Sequence, residues 1–163
     1  MAAQHAADVA AIRQQVDKLV EAIRAMDLEG LKPIYAPDIV SFDVQPPLQR
    51  IGAEGKWQNW AYAFALFQHP LGFEVRDLTI TLGGDVAFTH SFNRLSGTLR
   101  NGNRSSGFWV RATVCFRKID GKWLIAHDHA SVPLDFESGR AVLNLEPPTR
   151  YYLGCNCFRH ASM

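Results

Sequence analysis

The sequence predicts an α+β domain in which helices pack against one face of a curved, mainly antiparallel sheet. Two observations lead to this fold class. Before residue 70, two long segments carry apolar side chains at helical spacing. After residue 70, four segments alternate apolar and polar residues, and turn-forming dipeptides separate them. Helices followed by a run of strands indicate a layer of helices on a sheet.

The first half of the chain supplies the predicted helices and one strand. Apolar residues recur every three or four positions from Asp8 to Met26, which predicts an amphipathic helix. MDLEGLKPIYAP adds a short helical turn that Pro33 interrupts. DIVSFDV is rich in β-branched and aromatic residues, which favours a strand ending before Pro46. GAEGKWQNWAYAFALF predicts another helix, whose aromatic residues share one face: Trp57, Trp60, Phe64 and Phe67.

The second half predicts an antiparallel meander of four strands. The strand segments are GFEVRDLTITL, DVAFTHSFNRLSGTL, GFWVRATVCFRKI and KWLIAHDHASVP. Three dipeptides typical of tight hairpins separate them: Gly83-Gly84, Asn101-Gly102 and Asp120-Gly121. We expect a single domain over residues 1–148 and a C-terminal appendage over 149–163, which begins after two prolines.

Composition excludes several classes of protein. The chain has 163 residues and a net charge of +1, so neither nucleic acid nor an anionic membrane is an expected partner. It contains no apolar run of the roughly 18 residues that span a membrane, and its N-terminus does not resemble a signal peptide. The odd count of three cysteines favours free thiols, at Cys155 and Cys157 among others. We therefore expect a cytoplasmic protein with no metal and no cofactor.

The hairpin around Asp120-Gly121 decides which side chains face the helices. A tight two-residue turn places Phe116 opposite Ile125, Val114 opposite His127, and Ala112 opposite His129. Because that face is the more apolar one, it predicts His127 and His129 inside the domain. Arg111 and Asp128 then lie on the outer face. A glycine bulge at the turn would shift the register by one residue and bring Arg111 and Asp128 to the pocket instead.

The preceding strand carries a third histidine in a similar pattern. Val86, Phe88, His90 and Phe92 alternate with smaller or polar residues, which predicts that His90 also faces inward. Three imidazoles that converge on one region favour the polar end of a ligand cavity over three separate core residues.

The segments MDLEGLKPIYAPDIVSFDVQPP, GGDVAFTHSFNRLSG and FRKIDGKWLIAHDHASVP, together with the Trp57 helix, carry a family resemblance. Over residues 8–145 the chain resembles the SnoaL-like and ketosteroid-isomerase-like branch of the nuclear transport factor 2-like superfamily. The resemblance implies a cystatin-like cone, in which a curved sheet wraps around the N-terminal helices and encloses an apolar pocket. It also implies a small apolar, cyclic ligand and a homodimer formed through the outer face of the sheet.

The same resemblance implies candidate site residues. Asp43 matches the catalytic base of ketosteroid isomerase. The position of the oxyanion-hole Tyr holds Leu19 here, and the strand WVRATV contains no acid to match the oxyanion-hole Asp. Resemblance to the dehydratase branch implies a catalytic set of Asp43, His90, His127 and His129. Resemblance to the epoxide hydrolase branch implies Arg111 together with Asp128. The expected pocket walls are Tyr35, Trp57, Trp60, Phe88, Phe92, Ala112 and Val114.

Two function classes follow from these residues. The first is a cofactor-independent acid–base enzyme of the isomerase, dehydratase or hydrolase type, in which Asp43 is the base and His127 or His129 the acid. The second is a non-catalytic ligand-binding or accessory dimer with the same pocket. The fold hosts many reactions, so the residues of the site must decide between the two classes.

Overall fold

A computed structural model describes residues 2–149 of the chain. The tail beyond them, with Cys155 and Cys157, lies outside the described residues. The helices are α1 (Ala2–Arg24), α2 (Leu28–Leu31), a 3-10 helix (Lys32–Ile34) and α3 (Ala53–Leu66). Within the described part, no helix is long and apolar enough to cross a membrane.

The strands form one large mixed sheet and a small separate hairpin. They are β1 (Tyr35–Phe42), β2 (Arg50–Ile51), β3 (Gly72–Gly83), β4 (Val86–Thr98), β5 (Arg104–Ser105), β6 (Trp109–Ile119), β7 (Lys122–Ser131), β8 (Leu134–Asp135) and β9 (Arg140–Ala141). The large sheet has the order β2-β1-β7-β6-β4-β3, and β5 pairs with β4. The predicted meander is therefore confirmed, and β1 adds to it in parallel with β7.

The helices cover the inner face of this sheet, as the apolar patterns predict. Ile12 and Ile23 of α1 are fully buried, and they belong to one core cluster with Phe116 and Ile125 of the sheet. One polar residue joins this packing: Asp8 of α1 accepts hydrogen bonds from Lys118 and Trp123 of the β6–β7 hairpin. The α+β fold class is confirmed.

The β6–β7 turn is tight, but a bulge further along the hairpin reverses part of the predicted register. Asp120 and Gly121 both have positive φ, as a two-residue hairpin requires. Phe116 pairs with Ile125, as predicted. Beyond that pair, β7 contains one extra residue, Ala126, so Val114 pairs with Asp128 and Ala112 with Ala130. The prediction that His127 and His129 face inward beside Val114 and Ala112 was therefore wrong, because the bulge turns Asp128 inward.

The predicted faces of β4 were also wrong. Ala87, Thr89 and Ser91 are buried against the interior, whereas Phe88 and His90 are exposed on the outer face. The apolar pattern misleads here because the large side chains of β4 cover the outside of the sheet. The inner side carries small residues, which leave space beneath the helices.

Arg111 lies on the outer face as well. It pairs with Ser131 and is exposed, so the alternative register, with Arg111 beside Asp128 in the pocket, does not occur. Arg111 and Asp128 do not share the outer face either, because Asp128 points to the interior.

Candidate functional site

A cavity of about 390 Å³ lies between α3 and the inner face of the sheet. Its walls are mainly apolar, and they include the aromatic residues Tyr35, Trp60, Tyr62, Phe67, Phe73 and Phe108. Ionisable side chains gather where α3 meets the ends of β1 and β7. Among the described residues that line the cavity, these are Asp43, Lys56, Asp128 and His129, together with Tyr35. An apolar cavity with one polar end is typical of small-molecule sites.

Lys56 joins the two carboxylates of this polar end. Its Nζ lies 2.8 Å from Oδ1 of Asp43 and 2.7 Å from Oδ2 of Asp128. The Lys56 side chain is only 4% exposed, and the ring centroid of Trp60 lies 5.7 Å from Nζ. A buried ammonium with two ionic partners and an aromatic neighbour is held in one position, so Lys56 fixes the distance between the carboxylates.

The two carboxylates differ in how far their oxygens are engaged. Oδ1 of Asp43 bonds Lys56, and Oδ2 accepts a hydrogen bond from Ser41 and lies 3.6 Å from Nε of Arg50. Oδ2 of Asp128 bonds Lys56, but its Oδ1 is buried and has no hydrogen-bond partner among the described residues. A carboxylate can accept about four hydrogen bonds, so Asp128 keeps unused acceptor capacity beside the cavity.

The protonation of the group follows from burial and from mutual attraction. Burial raises the pKa of Asp128 above its ordinary value, and the charge of Lys56 opposes that rise. Burial by itself would lower the pKa of Lys56, but the negative charges of Asp128 and Asp43 outweigh it and hold that pKa above its usual value. Lys56 therefore stays cationic, and the raised pKa of Asp128 increases its proton affinity.

Tyr35 supplies a neutral hydroxyl in the same cavity. Trp60 Nε1 donates a hydrogen bond of 2.8 Å to Oη of Tyr35. Burial raises the pKa of Tyr35, so its phenol stays protonated. Because Oη accepts from Trp60 and no described residue accepts the hydroxyl hydrogen, that hydrogen is available to a ligand.

The structure brings together five of the residues that the sequence proposed for the pocket or the base: Asp43, Tyr35, Trp60, Ala112 and Val114. Asp128, proposed only for the alternative register, lines the cavity too. Phe88, Phe92 and Arg111 do not line it, because they lie on the outer face of the sheet. Trp57 is also outside the lining, and its ring packs against Lys32 on the other side of α3.

The three histidines do not converge on the cavity. His127 Nδ1 lies 2.7 Å from the carbonyl oxygen of Val40, and its ring contacts Phe42. His129 borders the cavity, but it is exposed and its ring also contacts Phe42, 5.7 Å away. His90 is exposed beside Thr113. In the described part of the chain, no group of three His, Cys, Asp or Glu side chains is arranged to hold a metal ion.

Lys56 lies at the polar end of the cavity and was not among the residues predicted from the sequence. The signal was present, because Lys56, Trp60 and Ala63 recur every three or four residues along α3 and Phe67 follows directly after the helix, so they share one apolar stripe. A lysine within an apolar stripe is almost never buried without a charged partner. Such a position predicts a carboxylate opposite, which here is a pair.

Comparison with known proteins places the chain in a family. The model of the SnoaL-like domain matches residues 12–135. The chain belongs to the SnoaL-like domain family. This SnoaL-like protein also matches solved structures of the nuclear transport factor 2-like superfamily. A search among curated proteins gave no match.

Three solved structures illustrate the relationship. A nuclear transport factor 2-like protein of unknown function from Pseudomonas putida is 34% identical; the match covers 87% of this chain and 98% of that one, with a TM-score of 0.79. A candidate dehydratase of the same family from Streptomyces avermitilis is 21% identical, with 79% and 98% covered and a TM-score of 0.68. A cystatin-like protein of unknown function from Nostoc punctiforme is 19% identical, with 77% and 90% covered and a TM-score of 0.62. The SnoaL-like cone that the sequence resembles is thereby confirmed.

Proposed function

We propose that this SnoaL-like protein binds a small, largely apolar molecule in the cavity and eliminates water from it by acid–base catalysis. The observation that carries the proposal is the buried Asp128 carboxylate, with one oxygen held by Lys56 and the other without a partner among the described residues. A carboxylate of raised pKa in an apolar cavity suits a general base and, once protonated, a general acid. A candidate dehydratase from Streptomyces avermitilis has the same fold.

The reaction needs only groups that the cavity contains. Asp128 removes a proton from the carbon between the carbonyl and the hydroxyl-bearing carbon of a β-hydroxy ketone. Tyr35 donates a hydrogen bond to the carbonyl oxygen as negative charge develops there. The C–O bond then breaks, and the protonated Asp128 gives its proton to the leaving hydroxide. The products are an enone and water, and Asp128 regains its starting charge.

Lys56 and Asp43 serve this cycle as a positioning pair. Lys56 holds Asp128 in place, and its charge limits the rise in the pKa of Asp128. Asp43 anchors Lys56 from the other side at 2.8 Å. The base role expected of Asp43 therefore passes to Asp128, since both oxygens of Asp43 are already engaged. The acid role expected of His127 or His129 passes to Asp128 as well, because His127 Nδ1 lies against the carbonyl oxygen of Val40 and His129, at the border of the cavity, packs against Phe42.

The alternative is a non-catalytic ligand-binding protein with the same cavity. One observation favours it: Lys56 bonds both carboxylates, so the ion pairs at the polar end form without a substrate. In that case the cavity binds its ligand and Asp128 takes part in no proton transfer.

A dehydration assay distinguishes the two functions. The probe is 4-hydroxy-4-phenylbutan-2-one, which loses water to give the strongly absorbing benzylideneacetone. We expect the wild-type protein to accelerate absorbance growth above the buffer rate, and the rate to rise with pH as Asp128 ionises. Asp128→Asn should lower the rate by roughly a hundredfold or more, the scale of a lost general base.

The control is His90→Ala, which removes an exposed imidazole far from the cavity. We expect its rate to equal that of the wild type. Circular dichroism and the melting temperature of each variant establish that it is folded. If the probe binds but its dehydration is not accelerated, the protein is the non-catalytic ligand-binding alternative. An equal loss of rate in both variants would contradict the role of Asp128.

A further inference from the structure

The cationic and amide groups at the polar end of the cavity are partly engaged with other side chains, whereas the hydroxyl of Tyr35 stays available as a donor. Lys56 is the only Lys or Arg among the described residues that line it. Two of its three N–H donors go to Asp43 and Asp128, and its side chain is 4% exposed. Gln45 and Asn59, which also line the cavity, bond each other through Nε2 and Oδ1. A ligand therefore meets a cation with two donors engaged and an amide pair in which Gln45 Nε2 and Asn59 Oδ1 are bonded to each other.

One hydrogen-bond acceptor at the polar end of the cavity, Oδ1 of Asp128, is not engaged by any described residue. Oδ1 of Asp128 is buried without a partner among the described residues, and an ionised carboxylate only accepts hydrogen bonds. Leaving such a group unpaired is costly in an apolar environment. A ligand donor that reaches Asp128 removes this cost, whereas a ligand acceptor placed there adds to it.

The net negative charge of the cavity walls also disfavours an anionic ligand. Asp43 and Asp128 together outweigh the one positive charge of Lys56 that the cavity walls supply. Arg50 lies behind Asp43, with its Nη2 bonded to the carbonyl of Pro46, and it does not line the cavity. An anionic ligand would have to displace an existing ion pair to find a cation.

We propose that the cavity selects neutral cyclic molecules whose polar end is a hydroxyl that donates to Asp128, and that it rejects the corresponding carboxylates. This inference rests on the proposed function, because it assumes that the cavity binds a small molecule, and it defines the polarity of that molecule. The specificity arises from a buried acceptor that has no partner among the described residues, beside a cation with two of its three N–H donors engaged. Sites of this kind discriminate strongly against analogues that lack the required donor.

Three probes of the same ring system test the proposal by isothermal titration calorimetry at pH 7. They are 2-naphthol, which donates a hydrogen bond, 2-methoxynaphthalene, which only accepts, and 2-naphthoate, which is an anion. We expect 2-naphthol to bind wild-type protein at least about tenfold more tightly than 2-methoxynaphthalene, the scale of a hydrogen bond to a charged group. We expect 2-naphthoate to bind at least about a hundredfold more weakly than 2-naphthol.

Two matched variants locate the effect. Asp128→Asn and Asp43→Asn each remove one carboxylate bonded to Lys56, but only Asp128 has an oxygen without a partner. We expect Asp128→Asn to abolish the preference for 2-naphthol over 2-methoxynaphthalene, and Asp43→Asn to retain it. Loss of the preference in both variants would assign it to the charge balance around Lys56 and overturn the inference.

The outcomes separate this inference from the proposed function. Equal binding of all three probes, or tighter binding of 2-naphthoate, overturns the donor preference and leaves a cavity that binds ligands. Binding of none of them contradicts ligand binding itself and the inference with it. A donor preference without dehydration activity upholds the inference and removes the catalytic step. If Asp128→Asn does not fold, the three affinities of the wild type decide the question.

Discussion

Replacing Lys56 by Met is the most informative perturbation of the polar end of the cavity. Methionine has nearly the length of lysine and no charge, so the packing against Trp60 is largely retained. The change leaves the carboxylates of Asp43 and Asp128, whose side chains are 11% and 17% exposed, facing each other without a cation. Both carboxylates lose a bond shorter than 3 Å to Nζ.

The expected loss of stability in Lys56→Met follows from the burial of the ion pairs. Removing one partner of a buried pair typically costs about 3–5 kcal/mol, because an uncompensated charge remains. The small remaining exposure of both carboxylates favours the lower part of that range. We therefore expect Lys56→Met to lower the free energy of unfolding at pH 7 by about 3 kcal/mol, which corresponds to a fall in melting temperature of roughly 10 °C.

The pH dependence has a defined sign. Burial already raises the pKa of Asp128 above 3.8 in the folded protein, and loss of Lys56 raises it further. A carboxyl whose folded pKa exceeds its unfolded pKa destabilises the protein as pH rises through the folded value. The free energy of unfolding that Lys56→Met loses relative to the wild type should therefore be smaller at pH 5 than at pH 8.

Urea unfolding at pH 5, 7 and 8 measures this deficit. The matched control is the triple variant Lys56→Met, Asp43→Asn, Asp128→Asn, which has no charge at these positions. We expect it to recover most of the lost stability at pH 7, because neutral amides cost less to bury than unpaired carboxylates. A deficit below about 1 kcal/mol that is equal at all three pH values would refute the buried ion-pair group.

Three further predictions concern the rest of the molecule. The hydrogen bond from Lys118 lowers the pKa of Asp8 to about 2, so Asp8→Asn should lower the melting temperature at pH 6. The difference in melting temperature between this variant and the wild type should shrink as pH falls from 3.8 toward 2. Gly107 has a φ of +70°, and a Cβ there would overlap a carbonyl oxygen, so Gly107→Ala should cost about 1–3 kcal/mol in urea unfolding. Gly102→Ala, at positive φ in open space, should cost less. We also propose a homodimer through the outer face of the sheet, where Phe88 is 45% exposed, so sedimentation should give a dimer that Phe88→Glu converts to a monomer. Phe136→Glu, an exposed position off the large sheet, should remain dimeric, and a wild-type monomer at micromolar concentration would contradict this interface.

The elements and the tight turn were predictable from the sequence, but the bulge was not. Asp120-Gly121 is a strong local signal, and its positive φ angles and the Phe116–Ile125 pair agree with it. The bulge at Ala126 lies where β1 joins β7 in parallel, and the register of β1 shifts at the same place, between Tyr35 and Val40. The pairing of β1 with β7 joins segments about ninety residues apart, so no local pattern reveals it.

The faces of β4 show the limit of apolar alternation. The rule that the more apolar face lies inside assumes that only one face of the sheet is covered. In β4 the large residues, such as Phe88, point outward, while Ala87 and Thr89 point inward beneath the helices. A sheet that lines a cavity needs small inward residues at some positions, and its outer face can still be apolar.

The sequence assigned the base to Asp43, and our proposal assigns it to Asp128, which lines the same end of the cavity. The resemblance to ketosteroid isomerase pointed to Asp43, which lines the cavity. It could not indicate that Ser41, Arg50 and Lys56 engage both of its oxygens, because those contacts depend on how α3 packs against β1. The position of Lys56 in the apolar stripe of α3 was the readable signal for this group.

A crystal structure with 2-naphthol bound tests the central claim most directly. We expect the ring against Trp60 and Phe73 in the cavity, and the hydroxyl oxygen about 2.5–2.7 Å from Oδ1 of Asp128, as for a hydrogen bond to a carboxylate. We expect Nζ of Lys56 to remain bonded to both carboxylates. Electron density for the ligand beside His127 and His129 on the outer face, or a hydroxyl directed at Gln45 and Asn59 with Asp128 still unpartnered, would contradict the claim.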